Sequence, residues 1–458
     1  MLDLLIRNGT VVTAHGSFAL DVGVSRGSVA GLFDPGQAPA ATTTIDASKQ
    51  LVLPGFVDAH VHTRAPANPE REDFRTGTQA AAAGGVTTIC EMPMSLPPAN
   101  TAARVRDRRE AGERDCYVDF ALWGAGAAPA ENIEAMAAEG VCGFKAFLHA
   151  APPGREKNFE GVSLADDYQL YQAMLAIKPT GRYLAVHAED EAFVRAGSER
   201  LQAAGRSDPT AHGESRPPFV ENIAVAKLLF LAEALGVRLY LPHVSAAGAV
   251  ELARRAKARG SDVVLETCPQ YLLCDESVMA RVGPYGRINP PIRPRPEVEA
   301  LWQALVDGTV DVVASDHAPY LMEEKEPFWL NIWGAYCGHP GLETLGPSLL
   351  SECLAGRLPL ERAVAVLSEG PAQAFGFYPR KGTIVQGGDA DLVLFDPQAE
   401  WRVDRRGMFT KGWQGARLFD RAKLRGRIVR TLVRGEVVYE EGHIAGNPGH
   451  GRFVRPSG

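Results

Sequence analysis

The sequence predicts an α/β protein in which a (β/α)8 barrel is joined to a small composite β-sandwich domain built from both ends of the chain. Two observations predict this fold. Through the middle of the 458-residue chain, eight short β-rich runs alternate with stretches of helical periodicity, and such alternation indicates a parallel sheet. The two terminal segments instead contain strand-like runs separated by turn residues. An open, doubly wound sheet is the alternative for the middle of the chain.

The terminal segments are predicted to form one domain together. Residues 4–12 predict a hairpin that turns at Asn8-Gly9, because Asn-Gly is a preferred pair for a two-residue turn. Near the other end, residues 390–395 and 430–439 are apolar runs of strand type. Neither end is long enough to bury a large core alone, so we expect them to pair. The predicted domains are a β domain of residues 1–53 and 379–458, and a barrel of residues 54–378.

The barrel prediction depends on counting strands, because a (β/α)8 barrel repeats its unit eight times in about 250 residues. The predicted strands are residues 56–62, 86–92, 117–123, 141–148, 183–187, 238–245, 263–268 and 310–315. Segments with apolar residues at helical spacing include 74–83, 164–176, 220–234 and 247–257. This alternation makes a closed barrel our first choice.

Composition excludes several classes of protein. An apolar fraction of 45% and a charged fraction of 22% are those of a globular protein, not of a disordered, collagen-like or coiled-coil chain. A formal net charge of −7 argues against nucleic acid or an anionic membrane as partner. No apolar run approaches the roughly 20 residues that span a bilayer, and the N-terminus lacks the basic region of a signal peptide. Seven cysteines without a CxxC pair fit reduced thiols. We therefore predict a cytoplasmic protein.

Two histidines end the first predicted barrel strand. His60 and His62 are two residues apart, so their side chains leave a strand on the same side. Imidazole is a good ligand for zinc and related metals. In a barrel, the active site lies at the C-terminal ends of the strands, which is where this pair stands. The HxH pair therefore predicts part of a metal site.

Four more polar residues stand at the ends of other predicted strands: Lys145, His187, His243 and Asp316. Each has an ordinary explanation when taken alone. A strand-end lysine is usually a surface charge, a single histidine is usually a hydrogen-bonded polar group, and an aspartate often caps a helix. Their common position at one end of one barrel favours a shared site instead.

Several longer motifs accompany these residues. They are residues 54–62, 72–74, 77–78, 81–88, 143–145, 266–272, 289–293 and 315–319. In these motifs the chain resembles the amidohydrolase superfamily, in its cyclic amidohydrolase branch of dihydroorotases, allantoinases and hydantoinases. The resemblance implies a binuclear site that holds two divalent metal ions, with zinc as the expected metal. One ion would be bound by His60, His62 and Asp316, and the other by His187 and His243.

The same resemblance gives Lys145 and Asp316 further roles. Lys145 would be carboxylated on its amine by CO2 and would bridge both ions, since a carbamate is an anion with two oxygens whereas an ammonium would be repelled. Metal coordination would bring the pKa of the attacking water towards neutrality. Asp316 would be the catalytic residue that takes a proton from this water and passes it to the leaving nitrogen. The implied reaction is the ring-opening hydrolysis of a cyclic amide.

Substrate choice is predicted from three further residues. Arg64 follows His62 by two, where similar dihydroorotases carry an arginine that holds a substrate carboxylate through its bidentate fork. Asn289 matches a substrate-binding asparagine of dihydroorotases, and Tyr320 stands where they carry a histidine. Other motifs resemble those of allantoinases and hydantoinases. We therefore expect a dihydroorotase-like enzyme acting on a carboxylate-bearing ring, with allantoinase or hydantoinase (dihydropyrimidinase) as alternatives.

Two alternatives come from outside this activity. A non-catalytic scaffold relative would have lost metal ligands, whereas all six ligand positions are filled here. A mononuclear deaminase would not need Lys145 as a bridge. The expected partner is a small cyclic ureide, with neither nucleic acid nor membrane, and we expect a homo-oligomer, either a dimer or a tetramer.

Overall fold

The computed structural model describes residues 1–151 and 154–457. Its strands are β1 (Leu2–Arg7), β2 (Thr10–Thr13), β3 (Gly16–Ala19), β4 (Asp21–Ser25), β5 (Ser28–Phe33), β6 (Ala41–Asp46), β7 (Leu51–Pro54), β8 (Phe56–Val61), β9 (Val86–Glu91), β10 (Asp119–Ala125), β11 (Gly143–Phe147), β12 (Tyr183–His187), β13 (Leu239–Leu241), β14 (Val263–Thr267), β15 (Val312–Val313), β16 (Leu392–Arg402), β17 (Lys423–Val433), β18 (Glu436–Glu440) and β19 (His443–Ile444).

The α-helices of the same residues lie mostly between the barrel strands. They are α1 (Phe74–Ala83), α2 (Ala102–Asp115), α3 (Ala130–Glu139), α4 (Asp167–Ile177), α5 (Glu191–Ala203), α6 (Ala211–Glu214), α7 (Pro218–Leu235), α8 (Ala247–Ala258), α9 (Pro269–Leu273), α10 (Met279–Val282), α11 (Arg295–Val306), α12 (Leu342–Leu354), α13 (Leu360–Val364) and α14 (Gly370–Ala374).

Strands β8 to β15 form one parallel sheet in chain order. A parallel bridge between Val61 and His317 connects the first strand to the chain just after the last one, which closes the barrel. Each predicted run overlaps one of these strands, so the (β/α)8 prediction is confirmed. The last run is shorter than expected, because only Val312 and Val313 remain in the ladder. Beyond them, Ser315 donates its backbone amide to the Asp58 carboxylate at 3.1 Å.

The two ends of the chain form two further sheets. One has the strand order β5-β4-β1-β6, and the other the order β19-β18-β17-β16-β7-β2-β3. In the second sheet the N-terminal strand β7 pairs antiparallel with the C-terminal strand β16. Apolar side chains of both sheets share one core, among them Ile6, Val52 and Leu394. The predicted composite β-sandwich is therefore present.

The predicted hairpin at Asn8-Gly9 is wrong. Strand β1 pairs with β4 and β6, whereas β2 pairs with β3 and β7, so the two strands belong to different sheets. Asn8 has a φ of 64°, and its side chain donates to Asp46 at 3.0 Å. The turn therefore passes the chain from one layer of the sandwich to the other.

The barrel is filled by side chains at its centre. Trp123 is fully buried there, and its Nε1 donates to the Ala59 carbonyl at 3.0 Å. Together with neighbouring buried side chains, Trp123 fills the barrel interior. All seven cysteines are unpaired, and Cys337 and Cys353 alone among them are partly exposed. Among the residues described, no helix combines the length and apolarity that crossing a membrane requires.

Candidate metal centre and substrate cavity

A cavity of about 810 Å³ opens at the C-terminal ends of the barrel strands. It is the space that the fold leaves above the packed interior. The structure brings all nine residues predicted for the site to its lining. They are His60, His62, Arg64, Lys145, His187, His243, Asn289, Asp316 and Tyr320.

His60, His62 and Asp316 form the first cluster in this cavity. The Nε2 atoms of His60 and His62 lie 3.3 Å and 3.7 Å from Oδ1 of Asp316. One ligand atom from each residue lies within 4.8 Å of the others, which is a spacing that can hold a metal ion. Burial lowers the pKa of His60 to about 3 and holds the pKa of His62 well below its usual value. Both rings are therefore neutral, as metal ligands must be.

His187 and His243 form the second cluster. Nδ1 of His187 and Nε2 of His243 face each other across 3.2 Å. The His243 ring centroid is 4.8 Å from that of His187 and 5.3 Å from that of His60, so the two clusters are neighbours. Burial holds the pKa of His243 well below its usual value. Two imidazoles with converging nitrogens can share one cation.

Lys145 lies at the end of β11 and is fully buried. Its Nζ has no hydrogen-bond partner among the described residues and lies 5.1 Å from the centroid of the Phe147 ring. Burial lowers the pKa of this amine, because a charged ammonium loses its hydration there. An unpartnered buried amine is costly, so this atom fits a site that is completed by further groups.

Glu266 orients the ring of His60 and holds the backbone of His243, one histidine of each cluster. Its carboxylate lies 3.1 Å from Nδ1 of His60 and accepts the backbone amide of His243 at 2.8 Å. Tyr240 donates its hydroxyl to the same carboxylate at 2.8 Å. A carboxylate on the outer nitrogen of a ligating histidine fixes the ring and directs its other nitrogen inward. Sequence reasoning missed this role, although Glu266 begins one of the motifs on which the resemblance depends.

Glu189 orients the ring of His187 in the way that Glu266 orients the ring of His60. Its Oε2 lies 2.9 Å from Nε2 of His187, and Arg216 donates to this oxygen at 2.6 Å. The cationic Arg216 and the His187 ring hold the pKa of the buried Glu189 carboxyl well below its usual value. Nδ1 of His187 is thereby left to face His243. Sequence reasoning also missed Glu189, for which the available signal was a carboxylate two residues after a strand-end histidine.

Arg64 and Tyr320 form one wall of the cavity. The Arg64 guanidinium lies over the Tyr320 ring, with its carbon 4.5 Å from the ring centroid. Nε of Arg64 donates to the carbonyl of Pro319 at 3.3 Å. On its other side Tyr320 stacks on Tyr336, with ring centroids 5.0 Å apart. This stack holds the guanidinium at the cavity by a cation–π contact.

Asn289 follows Ile288, whose backbone carbonyl is held by a hydrogen bond. The carbonyl of Ile288 accepts a hydrogen bond from Nε2 of the buried His212 at 2.9 Å. Oδ1 of Asn289 is buried and has no partner among the residues described. A buried acceptor of this kind is available to a donor on a ligand.

Comparison with known proteins agrees with this geometry. A sequence model of the amidohydrolase family matches residues 51–438. The chain belongs to this family. An L-hydantoinase of Paenarthrobacter aurescens is 38% identical over 458 residues, which cover 99% of this chain and 98% of the relative. An allantoinase of Rubrobacter xylanophilus is 39% identical over 458 residues, with the same coverage.

Solved structures place this amidohydrolase in the same branch. The structure of an L-hydantoinase (dihydropyrimidinase) from Arthrobacter aurescens matches with a TM-score of 0.95 and 36% identity, covering 99% of this chain and all of that one. A dihydropyrimidinase from Brevibacillus agri matches with a TM-score of 0.89 and 30% identity, covering 99% and 98% of the two chains. The predicted branch, the cyclic amidohydrolases, and the predicted class, hydrolases of cyclic amides, are confirmed.

Proposed function

We propose that this amidohydrolase opens the ring of 5-substituted hydantoins by hydrolysis of a ring amide, with an N-carbamoyl amino acid as product. The observation that carries the proposal is the convergence of two histidine clusters on the cavity that holds the unpartnered Lys145 amine. The hydantoinase and the allantoinase described above support the choice of ring, because allantoin is itself a hydantoin with a ureido group on C5. The substituent on C5 is what distinguishes these substrates.

Two divalent metal ions, with zinc as the expected metal, fit the donors present. His60, His62 and Asp316 would hold one ion, and His187 and His243 the other. Imidazole nitrogens with one carboxylate are a donor set that suits zinc. When bound, such ions lower the pKa of a coordinated water and polarise a carbonyl oxygen.

Lys145 completes this site in the proposal. Its neutral amine adds to CO2 and loses one proton, which gives a carbamate with a single negative charge and two oxygens. This anion replaces an unpartnered amine and can bridge two cations that would otherwise repel each other. The burial of Nζ supports the step, because the neutral amine is the form that reacts.

In the proposed reaction, Asp316 transfers a proton from the attacking water to the leaving nitrogen. Its carboxylate stands beside both His60 and His62 at the cavity and is 13% exposed. It takes a proton from the attacking water and delivers it to the ring nitrogen as the carbon–nitrogen bond breaks. Glu266 and Glu189 keep the histidines oriented during this transfer.

The cavity lining suggests where the C5 substituent lies. Its apolar members include Met94, Phe147, Phe159, Trp333 and Tyr336. These side chains favour an aromatic or aliphatic substituent, as found in hydantoins derived from apolar amino acids. A carboxylate-bearing ring, which was the first expectation from the sequence, is the second candidate here, because the Arg64 guanidinium also lines the cavity.

A substrate panel tests the proposal. Purified enzyme is assayed for ring opening of benzylhydantoin, hydantoin, allantoin, carboxymethylhydantoin and dihydroorotate. We expect the highest kcat/KM on benzylhydantoin, and the variant Asp316→Asn should lower kcat by about 10²–10⁴-fold. A preference for dihydroorotate or carboxymethylhydantoin would instead support the second candidate. Failure to open every ring would contradict both.

A cytoplasmic homo-oligomer also belongs to the proposal. The unpaired cysteines support a reducing compartment. The surface through which copies would join, here called the α4/α7 surface, carries seven large apolar side chains that are 37% to 72% exposed. They are Tyr168, Tyr171 and Leu175 of α4, Phe219, Ile223 and Phe230 of α7, and Phe193 of α5, whose ring packs edge-on against that of Phe219.

The extent of the α4/α7 surface supports a second copy of the chain as the partner. With roughly 200 Å² for each side chain, the exposed parts amount to about 700 Å², close to the ~800 Å² per partner that a standard interface buries. The outward face of α7 is apolar from Phe219 through Ile223 and Ala226 to Phe230. Its neighbour Lys227 is paired with Asp167 at 2.7 Å. An exposed apolar patch bordered by such polar groups is typical of an interface.

A further inference from the structure

Glu72 is a fully buried carboxylate outside the lining of the cavity. Its Oε1 accepts hydrogen bonds from the Thr76 hydroxyl and from the backbone amide of Asp73. Its Oε2 accepts one from the Thr410 hydroxyl and lies 3.3 Å from Nε2 of His317. A buried carboxylate is costly unless partners surround it, so this cluster favours a single arrangement.

The His317 ring has one possible tautomer in this arrangement. Its Nδ1 accepts the backbone amide of Gly341 at 3.2 Å. Because an amide can only donate, Nδ1 carries no proton, and the proton of the neutral ring is on Nε2. Nε2 has no aligned hydrogen-bond partner among the described residues. Glu72 at 3.3 Å is therefore placed to receive this proton in a hydrogen bond after a small rotation of either side chain.

The backbone of His317 is tied to the metal site. Its carbonyl accepts the amide of His62 at 2.8 Å, and its amide donates to the Ser315 hydroxyl at 3.0 Å. Asp316, between Ser315 and His317, has a φ of 48°, a conformation that is strained for a non-glycine residue. Such a conformation persists only where neighbouring groups hold it. His317 is the neighbour on one side.

We propose that Glu72 is a positioning residue, which holds His317 and through it keeps the Asp316 carboxylate directed at His60 and His62. The inference depends on the proposed function in one respect, because it takes Asp316 as the proton carrier. It gives a role to two motif residues, Glu72 and His317, that the chemistry itself does not use.

The β domain contributes to the same cluster. Thr410 lies between β16 and β17, and Glu343 at the start of α12 accepts the backbone amides of Phe409 and Thr410 at 2.8 Å and 3.1 Å. The Thr410 hydroxyl thereby reaches Glu72. A substitution in the segment that holds Thr410 is expected to disturb the position of Asp316 through Glu72 and His317. Its effect on kcat should be smaller than that of losing the Glu72 carboxylate.

A double-mutant cycle on the metal-loaded enzyme tests the proposal. Glu72→Gln keeps the size of the side chain, and His317→Asn keeps an acceptor for the Gly341 amide while it removes Nε2. Each single variant should lower kcat by about 5- to 50-fold with KM within about threefold, and the double variant should be no worse than the poorer single variant. The proposal would be overturned if the kcat losses of the two single variants multiplied in the double variant. It would also be overturned if the single variants lowered Tm and left kcat unchanged.

A control and a second measurement separate positioning from stability. Asp73 is the matched control, because it pairs with Lys411 and caps α1 in the same loop. Asp73→Asn keeps an acceptor for Thr76 and loses only the charge pair with Lys411, so it should lower Tm and leave kcat unchanged. The visible absorption of Co2+-loaded protein should change in Glu72→Gln and His317→Asn but not in Asp73→Asn. Unchanged Co2+ spectra in all three variants would overturn the proposal. This readout needs no substrate, so it stands even if the wild-type chain opens no hydantoin.

Discussion

The Arg64 guanidinium lies 4.5 Å above the centroid of the Tyr320 ring, and so joins the loop after β8 to the loop after β15. Arg64 and Tyr320 are 256 positions apart in the sequence, and the fold brings them together in one wall of the cavity. A ring face attracts a guanidinium without supplying a counter-charge. The stack therefore orients a cation at the cavity without neutralising it.

Arg64→Met tests whether this cation binds a substrate carboxylate. If it does, kcat/KM for carboxymethylhydantoin should fall by the equivalent of ~2–4 kcal/mol, because a partly desolvated charge pair is lost. Uncharged hydantoin should lose little. The control is Tyr320→Leu, which removes the stack and keeps the charge, so its losses should be smaller. Equal losses on both substrates would contradict a carboxylate-binding role for Arg64.

Lys145→Ala should remove most bound metal and lower kcat by several orders of magnitude, since the bridging anion is lost. Metal content is measured on the purified variant, and added short carboxylates should restore part of the activity. The matched control is Lys381→Met. Lys381 is equally buried but is paired with Asp119, Asp389 and Asp391, at distances of 2.6 to 2.9 Å.

Breaking the buried Lys381 pairs typically costs ~3–5 kcal/mol of folding free energy. Lys381→Met should therefore lower Tm and keep two metals per chain. If Lys145→Ala kept both metals while Lys381→Met lost them, the assignment of Lys145 as the bridge would be wrong.

Glu343 predicts a pH dependence of stability. Burial raises the pKa of its carboxyl from 4.5 to about 8 in the folded chain. Between these values the unfolded chain releases the proton whereas the folded chain retains it, so the stability contributed by this group falls as pH rises through that window. Glu343→Gln removes the titration and keeps an acceptor for Phe409 and Thr410. Its Tm relative to wild type should rise from pH 5 to pH 8, and a difference that stays constant would contradict the pKa shift.

Phe230→Glu tests the proposed homo-oligomer. Phe230 is 72% exposed on the α4/α7 surface, and a charge placed there would be buried without a partner in an assembly. Light scattering should show a shift to the monomer mass. Val306→Glu is the control, since Val306 is 50% exposed at the end of α11, outside this surface. An unchanged mass for Phe230→Glu would place the interface elsewhere.

The barrel and the positions of its polar strand ends could be predicted because both leave local signals. The barrel strands are short β-rich runs, the helices show a period near 3.6, and residues such as His187 end an apolar run. The hairpin predicted at Asn8-Gly9 was wrong because strand pairing there is not decided by local signals. A turn signal shows that the chain bends, but which sheet receives β1 and which receives β2 depends on contacts with β6 and β7 that are far away in sequence.

The orienting groups of the site could not be predicted for a similar reason. Glu266 lies 206 residues from His60, and only the folded barrel brings its oxygen within 3.1 Å of the ring. The motif shows that residue 266 carries a carboxylate, but it does not show that His60 is the partner of that carboxylate. Glu189 is nearer to His187, yet the pairing of Glu189 with Arg216 depends on the path of α6 and is equally invisible in sequence.

The pairing of β7 with β16 has a consequence for biosynthesis. Strand β7 leaves the ribosome before the barrel begins, but its antiparallel neighbour emerges roughly 340 residues later, a delay of about 20–70 s at ~5–20 residues per second. During this interval β7 presents an unpaired apolar edge, and such edges pair readily with other chains. A ribosome that stalls between the barrel and β16 would therefore release a chain whose barrel is complete and whose β7 edge is open to aggregation.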